Sequence, residues 1–326
     1  MELTRRTLAV LALVPMLGAG CSRAAPTERE LTPHTGFAVV PGGRVWYEVA
    51  GEGPGTPVIL IHGGPGGRSC RLASLKALGS DRPVILYDQL GTGRSDRPAD
   101  TTLWRLPRFV EEIDSLRAHL RLERVHLYGH SWGGTVALEY GLTRPQSGVA
   151  SITLSAPLVS TPRWIADADT LRMEMPAALQ RTLREHEAAG TIDSPGYKAA
   201  TDSFYARFMS RRQPPTTPAD CQGVSGNDSV YRYMWGPTEF NATGTLKSYD
   251  RLDRLHELAL PVLFLAGEFD EARPSTVLNF TGRVPGARFE MIRGAGHAFP
   301  VDEPEQTVRV VGAFLREIDS TSRQQR

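Results

Sequence analysis

Short apolar runs bounded by glycine, proline or polar residues recur along the chain. Such runs predict buried strands, because a strand that is covered on both faces shows no alternation of apolar and polar positions. After the fourth run the pattern becomes helical and polar over residues 160–248, and a strand-like run then returns. The pattern therefore predicts an α/β fold, a mostly parallel sheet flanked by helices, with an inserted helical cap. The predicted strands are residues 58–61, 84–87, 125–128, 151–155, 261–267 and 288–293.

The same pattern divides the chain into segments. Within the cap, the best helices are predicted at residues 171–189 and 197–211, with prolines 214, 215 and 218 as interruptions. The last core helix is predicted at about residues 303–318. The predicted segments are an N-terminal signal and linker (1–30), the first part of the core (31–159), the cap (160–248), the second part of the core (249–319) and a frayed tail (320–326).

A serine between two glycines directly follows the third predicted strand. Residues 129–134 read Gly-His-Ser-Trp-Gly-Gly, and an apolar helical start follows them. A serine on a tight strand-to-helix turn projects its hydroxyl outward, and the turn needs small residues two positions before and after it. Gly129 and Gly133 meet this need, so we predict that Ser131 is a nucleophile.

A second glycine cluster, residues 62–66, follows the first predicted strand. Acyl transfer places negative charge on a carbonyl oxygen. Backbone amides after the nucleophile and after an early strand can stabilise that charge. We assign these donors to the amides of Trp132 and Gly64, with Gly63 as an alternative to Gly64. A plain tight turn is the other interpretation of this loop.

A serine nucleophile needs a histidine base and a carboxylate that fixes the histidine tautomer. Of the eight histidines, His297 lies in a Gly-Ala-Gly-His loop after the last predicted strand, a setting that we expect to be mobile and exposed. Asp270 is our choice among the acids that follow the strand at 261–267. The chain order serine, aspartate, histidine is the order of an α/β-hydrolase.

Five motifs together resemble the proline iminopeptidase family, over nearly all of the chain after about residue 35. The resemblance implies a serine aminopeptidase that removes N-terminal residues, commonly proline, from short peptides, with Ser131, Asp270 and His297 as its triad. Close relatives in this family act on amino-acid amides. The motifs are HGGPG at 62–66, YDQLGTGRS at 87–95, GHSWGG at 129–134, WGPTEF at 235–240 and GEFDE at 267–271.

The resemblance also implies that Glu239 and Glu271 hold the free amine of the substrate, with Tyr231 near them. An α-amino group has a pKa of about 8 and is mostly ammonium at neutral pH. Two converging carboxylates would therefore distinguish the end of a peptide from its interior. Without the resemblance, Glu239 would be interpreted as a surface acid near a Gly-Pro turn. For residues 87–95 we predict a sharply turning loop beside the nucleophile, with a structural role.

Composition and charge change this picture little. The chain carries 37 basic and 36 acidic side chains, a formal net charge of +1, and 40% hydrophobic residues, which is an ordinary globular balance. The scattered charges do not form a nucleic-acid footprint. Serine hydrolysis needs neither a cofactor nor a metal, and none is expected. The expected partners are short peptides or amino-acid amides with a free N-terminus.

The N-terminus predicts export. Arg5 and Arg6 precede an apolar stretch, residues 8–20, that is too short to span a bilayer as a mature helix. The twin-arginine route and a plain secretory signal are both open. Cys21 resembles the lipid-attachment cysteine of bacterial lipoproteins, although leucine stands four positions before it where three is usual. The expected location is periplasmic or extracytoplasmic, either lipid-anchored or, after cleavage near Ala24, as a soluble product.

Two cysteines remain if Cys21 carries lipid. Cys70 follows the glycine loop at 62–66, and Cys221 lies in the cap. Because exported proteins with paired thiols commonly oxidise them, the two cysteines favour a disulfide that would join the cap to the core. The sequence gives no distance between them, so a bridge and two free thiols both stay open.

Three functions stay open on the sequence alone. The first is an exported aminopeptidase with a preference for proline. The second keeps the same triad but hydrolyses amino-acid amides or esters. The third is a binding module on a hydrolase fold, which the complete set of triad residues disfavours.

Overall fold

The computed structural model describes residues 31–212 and 217–324, which contain one eight-stranded sheet. Its order is β1-β2-β4-β3-β5-β6-β7-β8; β1 and β2 pair antiparallel, β2 pairs antiparallel with β4, and the remaining pairs are parallel. The strands are β1 His34–Val40, β2 Gly43–Ala50, β3 Val58–Ile61, β4 Val84–Tyr87, β5 Val125–His130, β6 Val149–Ser155, β7 Val262–Gly267 and β8 Arg288–Ile292.

Helices cover the sheet and form the inserted region. None of the helices within the described residues is long and apolar enough to cross a membrane. The helices are α1 Leu106–Leu120, α2 Trp132–Thr143, α3 Thr161–Arg172, α4 Ala177–Ala189, α5 Pro195–Phe208, α6 Asp228–Met234, α7 Pro274–Thr281, α8 Phe299–Asp302 and α9 Pro304–Gln324. The predicted export signal, Cys21, and prolines 214 and 215 lie outside the described residues.

The apolar runs form the central strands, as predicted. Every residue of β3, β4, β6 and β7 is buried, because helices cover both faces of this part of the sheet. The hairpin of β1 and β2 was not predicted. Burial alternates along β2 and over the second half of β1, as expected at a sheet edge where one face meets solvent.

Four helices, α3 to α6, lie between β6 and β7, in the segment predicted as the cap. The prediction of one helix over residues 171–189 is wrong. The segment contains the end of α3 and all of α4, with Pro176 at the N-cap of α4. Proline has no backbone N–H and its ring clashes with the preceding helical turn, so a helix cannot continue through it undisturbed. The cap has its own apolar cluster, which includes Phe204 and Phe240.

The last helix continues to Gln324, beyond the predicted end at residue 318, so the prediction of a frayed tail is wrong for residues 320–324. A buried ionic network anchors this end of the chain. Asp319 accepts hydrogen bonds from Arg82 Nη1 at 2.8 Å, from the Thr56 amide at 3.2 Å and from His126 Nε2 at 3.2 Å. Burial alone would raise the pKa of Asp319, but these hydrogen bonds and charges outweigh it and lower the pKa.

We expect Asp319→Asn to lower the free energy of unfolding by about 3 kcal/mol, because it leaves the Arg82 charge buried with a weaker partner. The stabilisation by Asp319 is present above the pKa of an unfolded aspartate and is lost as the pH falls through the lowered folded pKa. The difference between wild type and variant should therefore shrink in acid. Urea unfolding at several pH values measures it. Glu317→Gln on the same helix, in an exposed pair with Arg288, should change little.

The two cysteines whose pairing the sequence left open form a disulfide. Cys70 and Cys221 are joined by an S–S bond of 2.03 Å, across a sequence separation of 151 residues. Hydrogen bonds flank the bond, from the Asn227 amide to the Gly66 carbonyl at 2.8 Å and from Arg68 to the Val224 carbonyl. The bridge therefore ties a cap segment to the core beside the glycine loop.

Candidate active site

Ser131 lies at the junction of β5 and α2. Its backbone has φ 55° and ψ −120°, a conformation that non-glycine residues rarely adopt. The Ser131 amide donates to the Ser155 carbonyl on β6 at 2.8 Å, which holds the turn in place. A side chain at Gly129 would collide with the Gly133 carbonyl, and one at Gly133 with the Ile61 carbonyl. The two glycines are therefore required for this turn.

His297 and Asp270 form a hydrogen bond, with 2.8 Å between His297 Nδ1 and Asp270 Oδ1. The Asp270 carboxylate also accepts from the Gly267 amide at 3.0 Å and the Ala272 amide at 2.8 Å. This arrangement places the imidazole proton on Nδ1 and leaves Nε2 free to accept a proton.

The prediction of an exposed loop at His297 is wrong, because the residue is only 4% exposed. The end of helix α5 in the cap covers it. The His297 amide donates to the Phe208 carbonyl at 2.8 Å, and the Ala298 amide donates to the Met209 carbonyl at 2.7 Å. The His297 loop is thus attached directly to the cap.

The structure brings the residue next to Ser131 close to His297. The ring of His130, the residue before Ser131, has its centroid 5.0 Å from that of His297. The edge of Trp164 contacts His297 from the cap side, with 5.6 Å between ring centroids. Among the described residues, Ser131 Oγ forms no hydrogen bond with His297; such bonds often tighten only when substrate binds.

The loop at 62–67 packs against the serine. A Cβ at Gly63 would lie 3.1 Å from Ser131 Cβ, so the backbone approaches the nucleophile closely. Gly64 has a φ of 131°, in the region that favours glycine. On the other side, Trp132 is the first residue of α2, and a helix leaves its first amides without intrahelical partners. One predicted donor, Trp132, thus follows the serine in the chain, and the other, Gly64, is one residue from the close approach at Gly63.

Glu271 is a buried acid without a partner. Its side chain is 2% exposed in total, and neither carboxylate oxygen has a hydrogen-bond partner within the part of the chain that the structure describes. Oε1 lies 3.9 Å from His297 Nε2. Burial raises the pKa of Glu271 well above its usual range, and the charges of Glu239 and Asp270 raise it further. An unpaired buried carboxylate is unfavourable, so this site is suited to a cation.

Glu239 is the second acid. Its Oε1 accepts a hydrogen bond from the Tyr231 hydroxyl at 2.7 Å. Burial raises the pKa of Glu239, while the hydrogen bond from Tyr231 and the nearby His297 act in the opposite direction. The family resemblance implied Glu239, Glu271 and Tyr231 together, and the structure brings Tyr231 and Glu239 into direct contact.

Tyr205 also belongs to this group; the sequence suggested it only as one of several aromatic residues that could line a pocket and did not assign it to the amine site. Its hydroxyl accepts a long hydrogen bond of 3.5 Å from the Glu239 amide. Burial raises the pKa of Tyr205, and the charges of Glu239 and Glu271 raise it further. Helix α5 thus supplies a polar group to the same place as the two acids.

The comparisons with known proteins agree with this architecture. A family model described as the α/β-hydrolase fold matches residues 56–304. The proline iminopeptidase of Heyndrickxia coagulans is 45% identical over 286 residues, which cover 87% of this chain and 99% of that protein. The crystal structure of a Mycobacterium smegmatis proline iminopeptidase is 34% identical, with a TM-score of 0.81, and covers 89% of this chain and 100% of its own.

A second solved structure, that of VinJ, is 32% identical with a TM-score of 0.80, and the match covers 88% of this chain and 100% of VinJ. These similarities extend over nearly the whole of each relative. The chain therefore belongs to the proline iminopeptidase family of the α/β-hydrolase fold.

Proposed function

We propose that this protein is a serine aminopeptidase that releases N-terminal residues, above all proline, from short peptides through an acyl-enzyme on Ser131. The family membership supports the reaction class. The single observation that carries the substrate class is the buried carboxylate of Glu271, whose oxygens lack partners among the described residues and lie next to His297. An ammonium group at the end of a peptide is the cation that would satisfy it.

The first half of the reaction forms the acyl-enzyme. Ser131 Oγ attacks the carbonyl carbon of the N-terminal residue while its proton passes to His297 Nε2. The carbonyl oxygen becomes an oxyanion, which the amides of Trp132 and Gly64 stabilise. The C–N bond then breaks, and His297 gives its proton to the leaving amine. Asp270 orients the imidazole and stabilises its positive charge during this step.

The second half releases the N-terminal residue. Water attacks the ester carbon and gives a proton to His297, and the bond to Ser131 Oγ breaks as the serine regains that proton. The enzyme returns to its starting state. The products are the free amino acid and the shortened peptide.

The acids near the triad explain why the first residue alone would be removed. Glu271 Oε1 lies 3.9 Å from His297 Nε2, so an ammonium bound by Glu271 and Glu239 lies beside the proposed base and places the adjacent carbonyl near Ser131. A peptide bond further along the chain has no ammonium beside it and leaves Glu271 without a partner. An ammonium forms ion pairs with the two acids and a neutral amide does not, and this difference in binding free energy is the source of selectivity for a free N-terminus.

A comparison of arylamide substrates tests the proposal. Proline arylamide should be cleaved faster than alanine arylamide, and N-blocked proline arylamide should resist cleavage. A fluorophosphonate should label Ser131. Equal cleavage of blocked and free compounds would instead favour a general amide or ester hydrolase with the same triad, and no cleavage together with no labelling would favour a binding module.

The raised pKa of Glu271 predicts an effect on stability. Between the pKa of an unfolded glutamate and the raised folded pKa, the folded state holds a proton that the unfolded state has lost, so stability falls as the pH rises through this window. We therefore expect Glu271→Gln to raise the Tm at about pH 8 and to have no such effect at about pH 4. Thermal unfolding without substrate measures this difference. A lower Tm of the variant at both pH values would contradict it.

We also propose that the protein is exported, with Cys21 as a lipid-attachment site. Arg5, Arg6 and the apolar stretch at 8–20 support export. The Cys70–Cys221 bond is consistent with an oxidising compartment, where disulfides persist. Mass measurement of the mature N-terminus tests this: a lipidated Cys21 is expected, and an unmodified chain that begins after Cys21 would exclude a lipoprotein.

A further inference from the structure

The loop after β4, residues 87–95, contributes one side chain that contacts both halves of the proposed oxyanion hole. Gln89 is fully buried. Its Oε1 accepts a hydrogen bond from the indole Nε1 of Trp132 at 2.9 Å. Its Nε2 donates a hydrogen bond to the backbone carbonyl of His62 at 3.0 Å. Gln89, which belongs to a loop predicted to have a structural role only, thus lies between the two proposed donor segments.

Only one orientation of the Gln89 amide satisfies both contacts, because an indole N–H can only donate and a carbonyl oxygen can only accept. The backbone of Gln89 adds a third contact, since its N–H donates to His62 Nε2 at 3.1 Å. His62 Nδ1 in turn donates to the Gly63 carbonyl at 2.8 Å. The acceptor role of Nε2 requires the neutral imidazole, and burial lowers the pKa of His62, which favours the same form.

These hydrogen bonds connect one proposed donor with the other. Trp132 carries the donor amide on its backbone and the Gln89 contact on its side chain. His62 and Gly63 lead directly to Gly64. Phe109 packs edge-to-face on the Trp132 ring, with 5.4 Å between centroids, so the indole is held by packing as well as by its hydrogen bond.

We propose that Gln89 is a positioning residue that sets the spacing between the amides of Trp132 and Gly64. This inference rests on the proposed function, because it requires an oxyanion between these amides. The oxyanion exists only at the transition state and the tetrahedral intermediate, so a wrong spacing reduces kcat and leaves ground-state binding unchanged. The ammonium site of Glu271 and Glu239 is separate from this contact.

Gln89→Leu removes both side-chain hydrogen bonds. We expect kcat for proline arylamide to fall about 10- to 100-fold, less than the loss for complete removal of a donor. KM and the inhibition constant of free proline should stay within about twofold of wild type. The affinity for a proline-derived aldehyde, which forms a tetrahedral adduct with Ser131, should fall by the same factor as kcat.

Trp132→Phe tests the same contact from the other side. It keeps the backbone amide and an aromatic ring but removes the indole donor. As for Gln89→Leu, we expect kcat to fall while KM stays close to the wild-type value. Because the two changes break one shared hydrogen bond, the double variant should lose less activity than the product of the single losses. This variant also carries the test if Gln89→Leu does not fold.

Gln146→Leu is a matched control. Gln146 also bridges backbone segments, donating to the carbonyls of Gly141 at 3.0 Å and Glu257 at 3.1 Å and accepting from the Ala259 amide at 2.9 Å. It precedes β6, at the end of the sheet opposite Ser131. Its replacement should lower stability and leave kcat unchanged.

Unchanged kcat in folded Gln89→Leu and Trp132→Phe would overturn the inference. A rise in KM and in the inhibition constant of free proline as large as the fall in kcat would also overturn it. Failure of the proposed function has a different signature. In that case wild type and Gln146→Leu would neither cleave proline arylamide nor react with a fluorophosphonate at Ser131.

Discussion

Ser131→Ala should lower kcat for proline arylamide by about 10⁴- to 10⁶-fold, because no other group at the β5–α2 turn replaces the nucleophile. Asp270→Asn should lower it by about 10⁴-fold, since an amide that donates to His297 Nδ1 favours the wrong tautomer. The two losses should not multiply. Residues of one triad act as a unit, so the double variant should be no worse than Ser131→Ala alone.

Steady-state kinetics with the free and N-blocked arylamides measure these losses, and circular dichroism checks the fold. The matched control is Ser115→Ala, on helix α1, whose hydroxyl donates to the Glu111 carbonyl of its own helix at 2.9 Å. Its activity should equal that of wild type. Substantial residual turnover by Ser131→Ala, with no fluorophosphonate labelling of wild type, would remove Ser131 from the mechanism.

Glu271→Gln should reduce kcat/KM for free-amine substrates about 30- to 5000-fold. This factor corresponds to a loss of about 2 to 5 kcal/mol in transition-state stabilisation, the range for unpairing a desolvated charge contact. Glutamine has the shape of glutamate without its charge, so the substrate ammonium would keep Glu239 alone as its counter-ion. Most of the loss should lie in KM, because the ammonium contact exists in the ground state as well. Glu239→Gln should give a loss of the same kind.

Glu268→Gln controls for the loop itself. Glu268 lies three residues before Glu271 and accepts a hydrogen bond from the Gly294 amide at 2.9 Å. Its replacement should leave kcat/KM unchanged. If Glu271→Gln and Glu239→Gln both turned over free-amine substrate at the wild-type rate, the assignment of the ammonium site would be rejected. The same Glu271 variant is expected to be more stable at about pH 8, so its loss of activity cannot be attributed to unfolding.

The parts of the fold that could be predicted are those that correspond to a local pattern in the amino-acid sequence. Buried parallel strands such as β3 and β7 are continuous apolar runs, and the turn at Ser131 has glycines at fixed offsets. The hairpin of β1 and β2 at the sheet edge has only partial alternation, which a short window does not separate from a loop. The break before α4 shows how a single proline overrides a long helical pattern.

The site was predicted where chain order and motif spacing apply, and it was missed where contacts join distant side chains. His297 was expected to be exposed because its loop is rich in glycine; the cover comes from the carbonyls of Phe208 and Met209, which no local pattern places there. Gln89 and Trp132 are 43 positions apart. Their contact depends on the pairing of β3 with β4 and β5, which sequence alone does not specify in this detail.

The Cys70–Cys221 bridge has a practical consequence for anyone who produces this protein. Material made in a reducing cytosol would carry two sulfhydryls, and the segment from residue 219 to 227 would be held to its neighbours only by contacts such as Asn227 to Gly66. In such a preparation, this cap segment would be less constrained beside the glycine loop. Specific activities from reduced and oxidised batches should therefore be compared only after the thiols have been counted.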